Sequence, residues 1–423
     1  MRPIASAEII AVGSELLTPS RLDTNSLAIT ERLRALGIAL RAKAIVGDRP
    51  SDLAAVFRGA LERADLIILT GGLGPTDDDV TRDVVARELD LELIEDTAIT
   101  DAIRARFARR GLEMPEINRR QAMVPRGASV LANANGTAPG LMLDAGDRLV
   151  VLLPGPPREL MPMLDGPVVA TLSRRTEGTT LHTRIVRIFG RSESHTEEAV
   201  RPLYAEWAQA SPPIDVTILA ARGAIDLLLS INAASPESAA EMLQLAAERT
   251  AGILGDDVYS TDGEPIEDVV GQLLRKRGWR LAVAESCTGG LVLKRLTDFA
   301  GSSEYVEGGV VSYGNFMKTA ILGVEPQVLE ADGAVSERVA MQMASGVRRL
   351  TGAEVGIGIT GIAGPGGGSE RKPVGTVMIA AELPEARAVR TRRYSGGRDL
   401  IRDLASHAAL DMVRRLLTDR PVP

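Results

Sequence analysis

The sequence predicts an α/β fold in three parts, and two features of its pattern support that prediction. Near both ends of the chain, short apolar runs such as Glu8–Gly13 and Ala64–Leu69 alternate with amphipathic helical stretches, which is typical of βαβ units around a parallel sheet. Between them, Thr183–Phe189 and Ile225–Ile231 have the alternation of half-buried strands. We therefore expect parallel sheets in the first and last parts and a small α+β module in the middle.

Size and composition narrow the class of protein. A chain of 423 residues is longer than one hydrophobic core can accommodate, so two or three domains are expected. The net charge of -7 argues against a nucleic-acid partner. One cysteine, Cys287, and three histidines exclude an intrachain disulfide and a Cys/His zinc cage. Because no apolar stretch approaches the roughly 20 residues of a membrane helix and no signal-peptide pattern is seen, we expect a cytoplasmic protein with no membrane partner.

Polar or glycine-rich turns follow three apolar strands in the last part of the chain. They are Glu285–Gly290 (ESCTGG), Tyr313–Lys318 (YGNFMK) and Thr360–Gly368 (TGIAGPGGG). Because the carboxyl ends of parallel strands lie at one edge of a sheet, we expect these turns to line one pocket. One such turn is often only a tight connection, whereas three in one domain favour a site that can hold a phosphate or an oxyanion.

Further motifs extend this pattern over about residues 262–420. They are Gly301–Ser303 (GSS), Gly308–Lys318 (GGVVSYGNFMK), Gly333–Glu337 (GAVSE), Gly358–Gly368 (GITGIAGPGGG), Lys372–Val377 (KPVGTV) and Gly396–Arg398 (GGR). Together they resemble the C-terminal domain of the CinA family. The resemblance implies a nicotinamide-mononucleotide (NMN) amidohydrolase that releases ammonia, leaves nicotinate mononucleotide and requires no cofactor. It also implies that the site is lined by Ser286, Ser303, Tyr313, Lys318, Thr360 and Arg398.

The chemistry that these residue types permit agrees with amide hydrolysis, which needs a nucleophile and a base to activate it. Cys287 has no histidine nearby in the sequence, so a serine–lysine arrangement fits better. Our hypothesis is that Ser303 attacks, with Ser286 as the rival, because the sequence cannot rank them. Lys318 could serve as base only when neutral, and Tyr313 could relay the proton or orient the amine.

The remaining contacts of this domain follow from the same turns. Main-chain N–H groups of Ser286–Gly290 or Thr360–Gly361 would hold the oxyanion, and Arg398 would hold the substrate phosphate through a forked contact. The predicted substrate contacts are Thr288, Gly289, Gly290, Asn315, Thr360, Gly361, Gly364 and Arg398.

Turns of the same kind occur in the first part of the chain. Gly13–Leu17, Gly71–Asp79 (GGLGPTDDD) and Asn135–Gly140 resemble the molybdopterin-binding fold of the MoaB and MogA type that begins CinA proteins, over about residues 5–170. The resemblance implies ADP-ribose pyrophosphatase activity aided by a divalent metal. The predicted ligand contacts are Gly13, Glu15, Gly71, Gly72, Gly74 and Thr76, and the predicted metal ligands are Asp77 and Asp78. In isolation, an acidic triplet more often complements a helix dipole.

Taken together, residues 1–170 are predicted to form the MoaB/MogA-like three-layer domain, residues 171–255 an α+β connector and residues 256–423 the amidase domain. The family resemblance also implies a homodimer, with NMN and ADP-ribose as small-molecule partners. Two alternatives stay open at this point: a molybdopterin-binding protein or molybdenum-cofactor transferase, and a non-catalytic binding protein related to competence.

Overall fold

In a computed structural model, the chain forms two compact units. One is built on the segment up to His182 and on Asn232–Ala239, and the other on Thr183–Ile231 and the segment from Ala240 onward. The structure describes residues 3–176, 178–221 and 223–423. None of the helices in these ranges is long and apolar enough to cross a bilayer.

The N-terminal part contains eight strands and six α-helices within its described residues. The strands are β1 (Ser6–Val12), β2 (Ala39–Val46), β3 (Leu66–Thr70), β4 (Leu93–Glu95), β5 (Met123–Pro125), β6 (Ser129–Leu131), β7 (Gly140–Ala145) and β8 (Arg148–Leu153). The helices are α1 (Asn25–Ala35), α2 (Pro50–Arg63), α3 (Thr81–Glu88), α4 (Thr97–Ala108), α5 (Pro157–Met163) and α6 (Val169–Ser173). One sheet has the order β2-β1-β3-β8-β7-β6, and β1, β2, β3 and β8 are parallel in it.

This sheet is covered on both faces. Leu66 of β3 belongs to a buried cluster that includes Leu33 of α1. The next residue, Ile67, belongs to a different cluster, which includes Phe57 of α2. Successive residues of a strand point to opposite faces, so an apolar run such as β3 needs a helical layer on each side. The predicted three-layer α/β architecture is confirmed.

The middle of the chain forms a four-stranded sheet with two helices. Its elements are β9 (Thr180–Phe189), α7 (Glu193–Trp207), β10 (Ile214–Ala221), β11 (Ala224–Ala233), α8 (Pro236–Leu254) and β12 (Val258–Ser260). The strand order is β10-β11-β9-β12, and β10 and β11 form an antiparallel pair. The α+β character expected for this segment is therefore seen.

The C-terminal part is a second α/β layer structure. Its helices are α9 (Ile266–Arg277), α10 (Leu291–Thr297), α11 (Asn315–Ala320), α12 (Pro326–Asp332), α13 (Glu337–Thr351) and α14 (Arg398–Leu417). Its strands are β13 (Leu281–Glu285), β14 (Val306–Val311), β15 (Val355–Gly361), β16 (Thr376–Glu382) and β17 (Arg387–Arg393), in the order β14-β13-β15-β16-β17. Because β13, β14 and β15 are parallel, the turns that follow them lie at one edge of the sheet, as predicted.

The structure differs from the sequence pattern at three places. The acidic triplet Asp77–Asp79 does not begin a helix, and α3 begins only at Thr81, because the N–H and hydroxyl groups of Thr76 donate to the carboxylate of Asp79 and hold a turn there. Strands β10 and β17 were not predicted. The sequence of β17, RAVRTRR, has four arginines in seven residues and so has the composition of a solvent-exposed segment rather than a buried strand.

Candidate functional site

At the carboxyl edge of the C-terminal sheet, a buried lysine faces a serine. Lys318 lies in α11, and the residue is only 1 % exposed. Its Nζ donates to the main-chain oxygen of Ser312 at 2.7 Å and to that of Tyr313 at 3.3 Å. The same Nζ lies 3.1 Å from Oγ of Ser286, which is itself 8 % exposed.

The partners of Lys318 indicate how its amine is used. Burial lowers the pKa of Lys318 below the ordinary lysine value, because the charged form loses its hydration. A neutral amine has two N–H groups and one lone pair. The oxygens of Ser312 and Tyr313 can only accept, so in the neutral form of the amine they would take the two N–H groups and the lone pair would face the hydroxyl of Ser286. The protonated form would donate to all three oxygens. A base and the group that it deprotonates would have such a contact.

Ser286 is held by the turn in which it lies, which joins β13 to α10. Its N–H group donates to the oxygen of Ile359 in β15 at 2.9 Å. The buried carboxylate of Glu285 accepts from the N–H groups of Gly290 and Leu293, both at 2.9 Å. Both ends of the turn are therefore tied to the sheet and to the first turn of α10.

Only part of the Ser286–Gly290 turn is available to hold an oxyanion. The N–H groups of Ser286, Gly289 and Gly290 each donate to acceptors within the fold, at 2.9 to 3.2 Å. Within the described part of the turn, the N–H groups of Cys287 and Thr288 remain as candidates. Within this turn, the candidate oxyanion donors are thus narrowed from five N–H groups to two, and the alternative donors at Thr360–Gly361 stay a prediction.

An exposed pair of side chains lies beside the buried one. The guanidinium of Arg398 donates to the oxygen of Gly364 at 2.8 Å and lies 3.3 Å from the hydroxyl of Tyr313, whose residue is 64 % exposed. Because the carbonyl of Tyr313 also holds Lys318, Arg398 belongs to the same cluster. Arg398 therefore connects the loop after β14 to the loop after β15.

Other predicted contacts are used differently. The hydroxyl of the buried Thr360 donates to the oxygen of Ala334 at 2.8 Å, so it is engaged within the fold. Asn315 is exposed at the start of α11, and Gly361 ends β15. Thr288 is fully buried, and its hydroxyl has no hydrogen-bond partner among the residues described.

Ser303 does not join this cluster. It is exposed in the short helical turn Ser302–Glu304, which precedes β14, whereas Lys318 follows the other end of that strand. Six residues of strand span about 20 Å. The carbonyl of Ser303 accepts from Arg280, which precedes β13 and marks the same amino-terminal edge of the sheet. The structure thus places Ser286, and not Ser303, at the amine.

The N-terminal part has a cleft of 660 Å³ at the carboxyl ends of β1, β3 and β8. Six of its lining residues are acidic, and Arg21 is a cationic one. The acidic residues are Glu15, Asp23, Asp48, Asp78, Asp79 and Glu159. Ligands of parallel α/β sheets bind at this edge.

Most of the predicted contacts of this domain line the cleft. They are Gly13, Glu15, Gly71, Gly72, Gly74 and Asp78. Gly71 has a φ of 93°, and a Cβ atom there would lie 2.2 Å from the oxygen of Val12, so a side chain cannot be accommodated.

Two predicted residues do not line the cleft. Thr76 bonds to Asp79 within the turn, at 2.6 Å from its hydroxyl. Asp77 is fully exposed and forms an ion pair with Arg120 at 2.9 Å, so its carboxylate is drawn away from the cleft.

Two family models match the chain. The model described as CinA C-terminal domain matches residues 263–417, and the model described as "Probable molybdopterin binding domain" matches residues 8–174. A "CinA-like protein" of Koribacter versatilis is 46 % identical over 416 residues, which cover 97 % of this chain and 99 % of that protein. The chain belongs to the CinA family.

Two further proteins are similar to the chain. A "CinA-like protein" of Acidobacterium capsulatum is 45 % identical over 415 residues, covering 97 % of this chain and 99 % of that protein. The crystal structure of the competence/damage inducible protein CihA from Agrobacterium tumefaciens is 40 % identical, covers 36 % of this chain and 95 % of that chain, and has a TM-score of 0.35.

Sequence reasoning missed one buried polar group of the cleft in this CinA protein. Gln121 is 2 % exposed, lines the cleft and accepts a hydrogen bond from the amide of Asn118 at 3.0 Å. It lies in the short helical segment Glu116–Ala122, which carries no glycine turn or motif. No signal in the sequence could have associated it with the glycine-rich turns.

The structure makes Cys287 a poor nucleophile. Burial raises the pKa of its thiol to about 12, so very little of the thiol is ionised at pH 8. We expect iodoacetamide at pH 8 to leave Cys287 unmodified in the native protein and to alkylate it after unfolding in guanidinium chloride, as measured by intact mass. Labelling of the native protein at the unfolded rate would contradict this burial.

Proposed function

We propose that the C-terminal domain hydrolyses the carboxamide of NMN, with Ser286 as nucleophile and Lys318 as its base. The observation that carries this proposal is the contact of 3.1 Å between Lys318 Nζ and Ser286 Oγ, made by an amine that two carbonyl oxygens hold in place. A buried neutral lysine beside a serine is a known kind of activated nucleophile.

In the proposed reaction, Ser286 Oγ attacks the carboxamide carbon while its proton passes to Lys318 Nζ. The C–N bond then breaks, the proton moves from Lys318 to the departing nitrogen, and ammonia leaves. A water molecule attacks the resulting ester and gives one proton to Lys318, which returns it to Ser286 Oγ as nicotinate mononucleotide is released. Each step conserves protons, and no cofactor is needed.

Two further groups would act on the substrate. The N–H groups of Cys287 and Thr288 would bind the oxygen that becomes negative during attack. Arg398, which is exposed and now donates to Gly364 and Tyr313, would turn one side of its guanidinium to the substrate phosphate.

Serine substitutions test the assignment of the nucleophile. We expect Ser286→Ala to lower ammonia release from NMN by about a thousandfold or more, because it removes the attacking oxygen. Lys318→Met should lower it by about a hundred- to ten-thousandfold, because the base is lost. Ser303→Ala is the matched control and should retain the wild-type rate. A Ser303→Ala enzyme that is as inactive as Ser286→Ala would contradict the proposal.

The pH dependence tests the charge state of Lys318. Only the neutral amine accepts the proton of Ser286, so kcat/KM for NMN should rise with pH through the pKa of Lys318 and then level off. Burial lowers that pKa, so the rise should lie below the ordinary lysine range. The profile is measured from initial rates of ammonia release in buffers that hold each pH constant. A rate that falls as the lysine loses its proton would exclude Lys318 as the base.

We also infer that the N-terminal domain hydrolyses the diphosphate of ADP-ribose with the help of a divalent metal. Gly72 and Gly74 line the cleft, where main-chain N–H groups of a glycine-rich turn would bind a phosphate. The acidic lining would repel a diphosphate, so a cation is needed between them. Such an ion, when bound, would neutralise the diphosphate and polarise the phosphorus–oxygen bond.

The residues present fit a metal whose ligands come partly from the protein and partly from the substrate. Among the described residues, no group of three or more His, Cys, Asp or Glu side chains is arranged to hold an ion alone. Mg²⁺ is commonly held by one or two carboxylates together with substrate phosphates. Asp78 is the proposed ligand, since Asp77 pairs with Arg120 and Asp79 holds the turn.

Adjacent aspartates provide a matched test. With Mg²⁺ and ADP-ribose, Asp78→Asn should lower AMP formation by about tenfold or more, because a carboxylate ligand is lost, whereas Asp77→Asn should retain it. EDTA should abolish the reaction. If molybdopterin binds to the cleft and ADP-ribose is not hydrolysed with any divalent metal, the pyrophosphatase assignment is wrong.

A further inference from the structure

The first two turns of α14 present two arginines to the amidase site. Arg398 and Arg402 are four residues apart and therefore lie on one face of the helix. Arg398 holds the oxygen of Gly364, in the loop after β15. Arg402 donates from Nε at 3.2 Å and from Nη2 at 2.8 Å to the oxygen of Thr288, in the loop after β13.

Among the side chains that the structure describes, none holds Arg402 as closely as the main-chain oxygen of Thr288 does. Asp399 lies 3.8 Å from its guanidinium but is 96 % exposed, so that ion pair is screened by water. The side chain of Arg402 is 30 % exposed, and its two donors converge on one carbonyl. The contact with Thr288 is therefore the main constraint on this guanidinium.

Between the two tied ends of the Ser286–Gly290 turn, Arg402 contacts Thr288. Gly289 and Gly290 have φ values of 62° and 92°, so this end of the turn has the most permissive backbone. The hydroxyl of Thr288 is buried and has no partner in the described chain, so it does not fix the residue. The carbonyl of Thr288 accepts from Arg402 and, at 3.4 Å, from the N–H group of Leu291.

We propose that Arg402 is a positioning residue that fixes the Ser286–Gly290 turn through the carbonyl of Thr288. By this contact it sets the direction of the Ser286 hydroxyl toward Lys318 and the orientation of the N–H groups that would hold the oxyanion. It touches neither the substrate nor the reacting atoms. The effect on turnover rests on the proposed amidase function, whereas the effect on the turn itself does not.

Three variants of the full chain test this role. Arg402→Met removes the donors and keeps much of the side-chain volume, Arg402→Lys keeps one cationic donor, and Arg387→Met is the control. Arg387 is exposed at the start of β17. Strand β16 is antiparallel to both β15 and β17, so β17 runs in the same direction as β15, and its first residue lies at the amino-terminal edge of the sheet, away from the site. Hydrogen exchange over residues 285–293 and the steady-state kinetics of NMN hydrolysis are measured for each variant.

We expect Arg402→Met to accelerate exchange over residues 285–293 and to lower kcat by roughly ten- to a hundredfold, the range for a slightly misplaced reacting group. KM should change by less than about threefold, because the substrate contacts stay in place. Arg402→Lys should recover part of both effects, and Arg387→Met should match the wild type.

The two readouts separate the two proposals. Unchanged exchange in Arg402→Met would overturn the positioning role, as would faster exchange with an unchanged kcat. A loss that lies only in KM would also overturn it, because Arg402 would then act on substrate binding. If the wild type does not hydrolyse NMN, the amidase proposal fails, and the exchange of Arg402→Met against Arg387→Met alone decides whether Arg402 fixes the turn.

Discussion

The C-terminal site depends on the burial of one amine. A lysine can be buried at low cost only if it is neutral and its N–H groups find acceptors, because an unpaired charge in the interior loses its hydration. The strand–turn–helix connection from β14 to α11 supplies those acceptors locally, since the oxygens of Ser312 and Tyr313 lie at the end of the strand and Lys318 lies one turn into the helix. In the neutral form, these oxygens would use both N–H groups, and the lone pair would face Ser286.

The two candidate sites share an architecture but differ in charge. Both lie at the carboxyl edge of a parallel sheet, and both use glycine-rich turns that follow strands. The N-terminal cleft is lined by six carboxylates, whereas two arginines, Arg398 and Arg402, lie around the C-terminal turns. In the proposed functions, an anionic nucleotide would approach the second site without a metal ion but would require a cation at the first. This difference explains why one fold pattern supports a metal-dependent and a metal-free proposal in the same chain.

Much of this arrangement could be predicted from the sequence because it follows from strand order. Apolar runs followed by glycine-rich turns predict a parallel sheet, and a parallel sheet gathers the turns after β13, β14 and β15 at one edge. The same rule, applied to the amino-terminal end of β14, places Ser303 outside the cluster of turns at the carboxyl edge. That serine precedes β14 by three residues and so lies at the opposite edge. The order of the motifs alone does not predict the position of Ser303, because the boundaries of β14 must be known first.

Other features depend on partners that are distant in sequence. Asp77 and Asp78 are adjacent and chemically identical, yet Asp77 pairs with Arg120, more than 40 residues away, whereas Asp78 lines the cleft. Gln121 reaches the cleft from the same distant segment. Strand β17 was missed because four of its seven residues are arginines, and its place at the sheet edge tolerates them.

The protonation state of Lys318 is the most direct test of this account. In protein labelled with ¹⁵N at the lysine side chains, the Nζ resonance of Lys318 can be assigned by its loss in Lys318→Arg and followed against pH. We expect it to titrate below the other lysines and to shift in Ser286→Ala, because the hydroxyl that faces its lone pair is removed. A Lys318 that stays protonated through the range in which exposed lysines titrate, and does not respond to Ser286→Ala, would contradict the account.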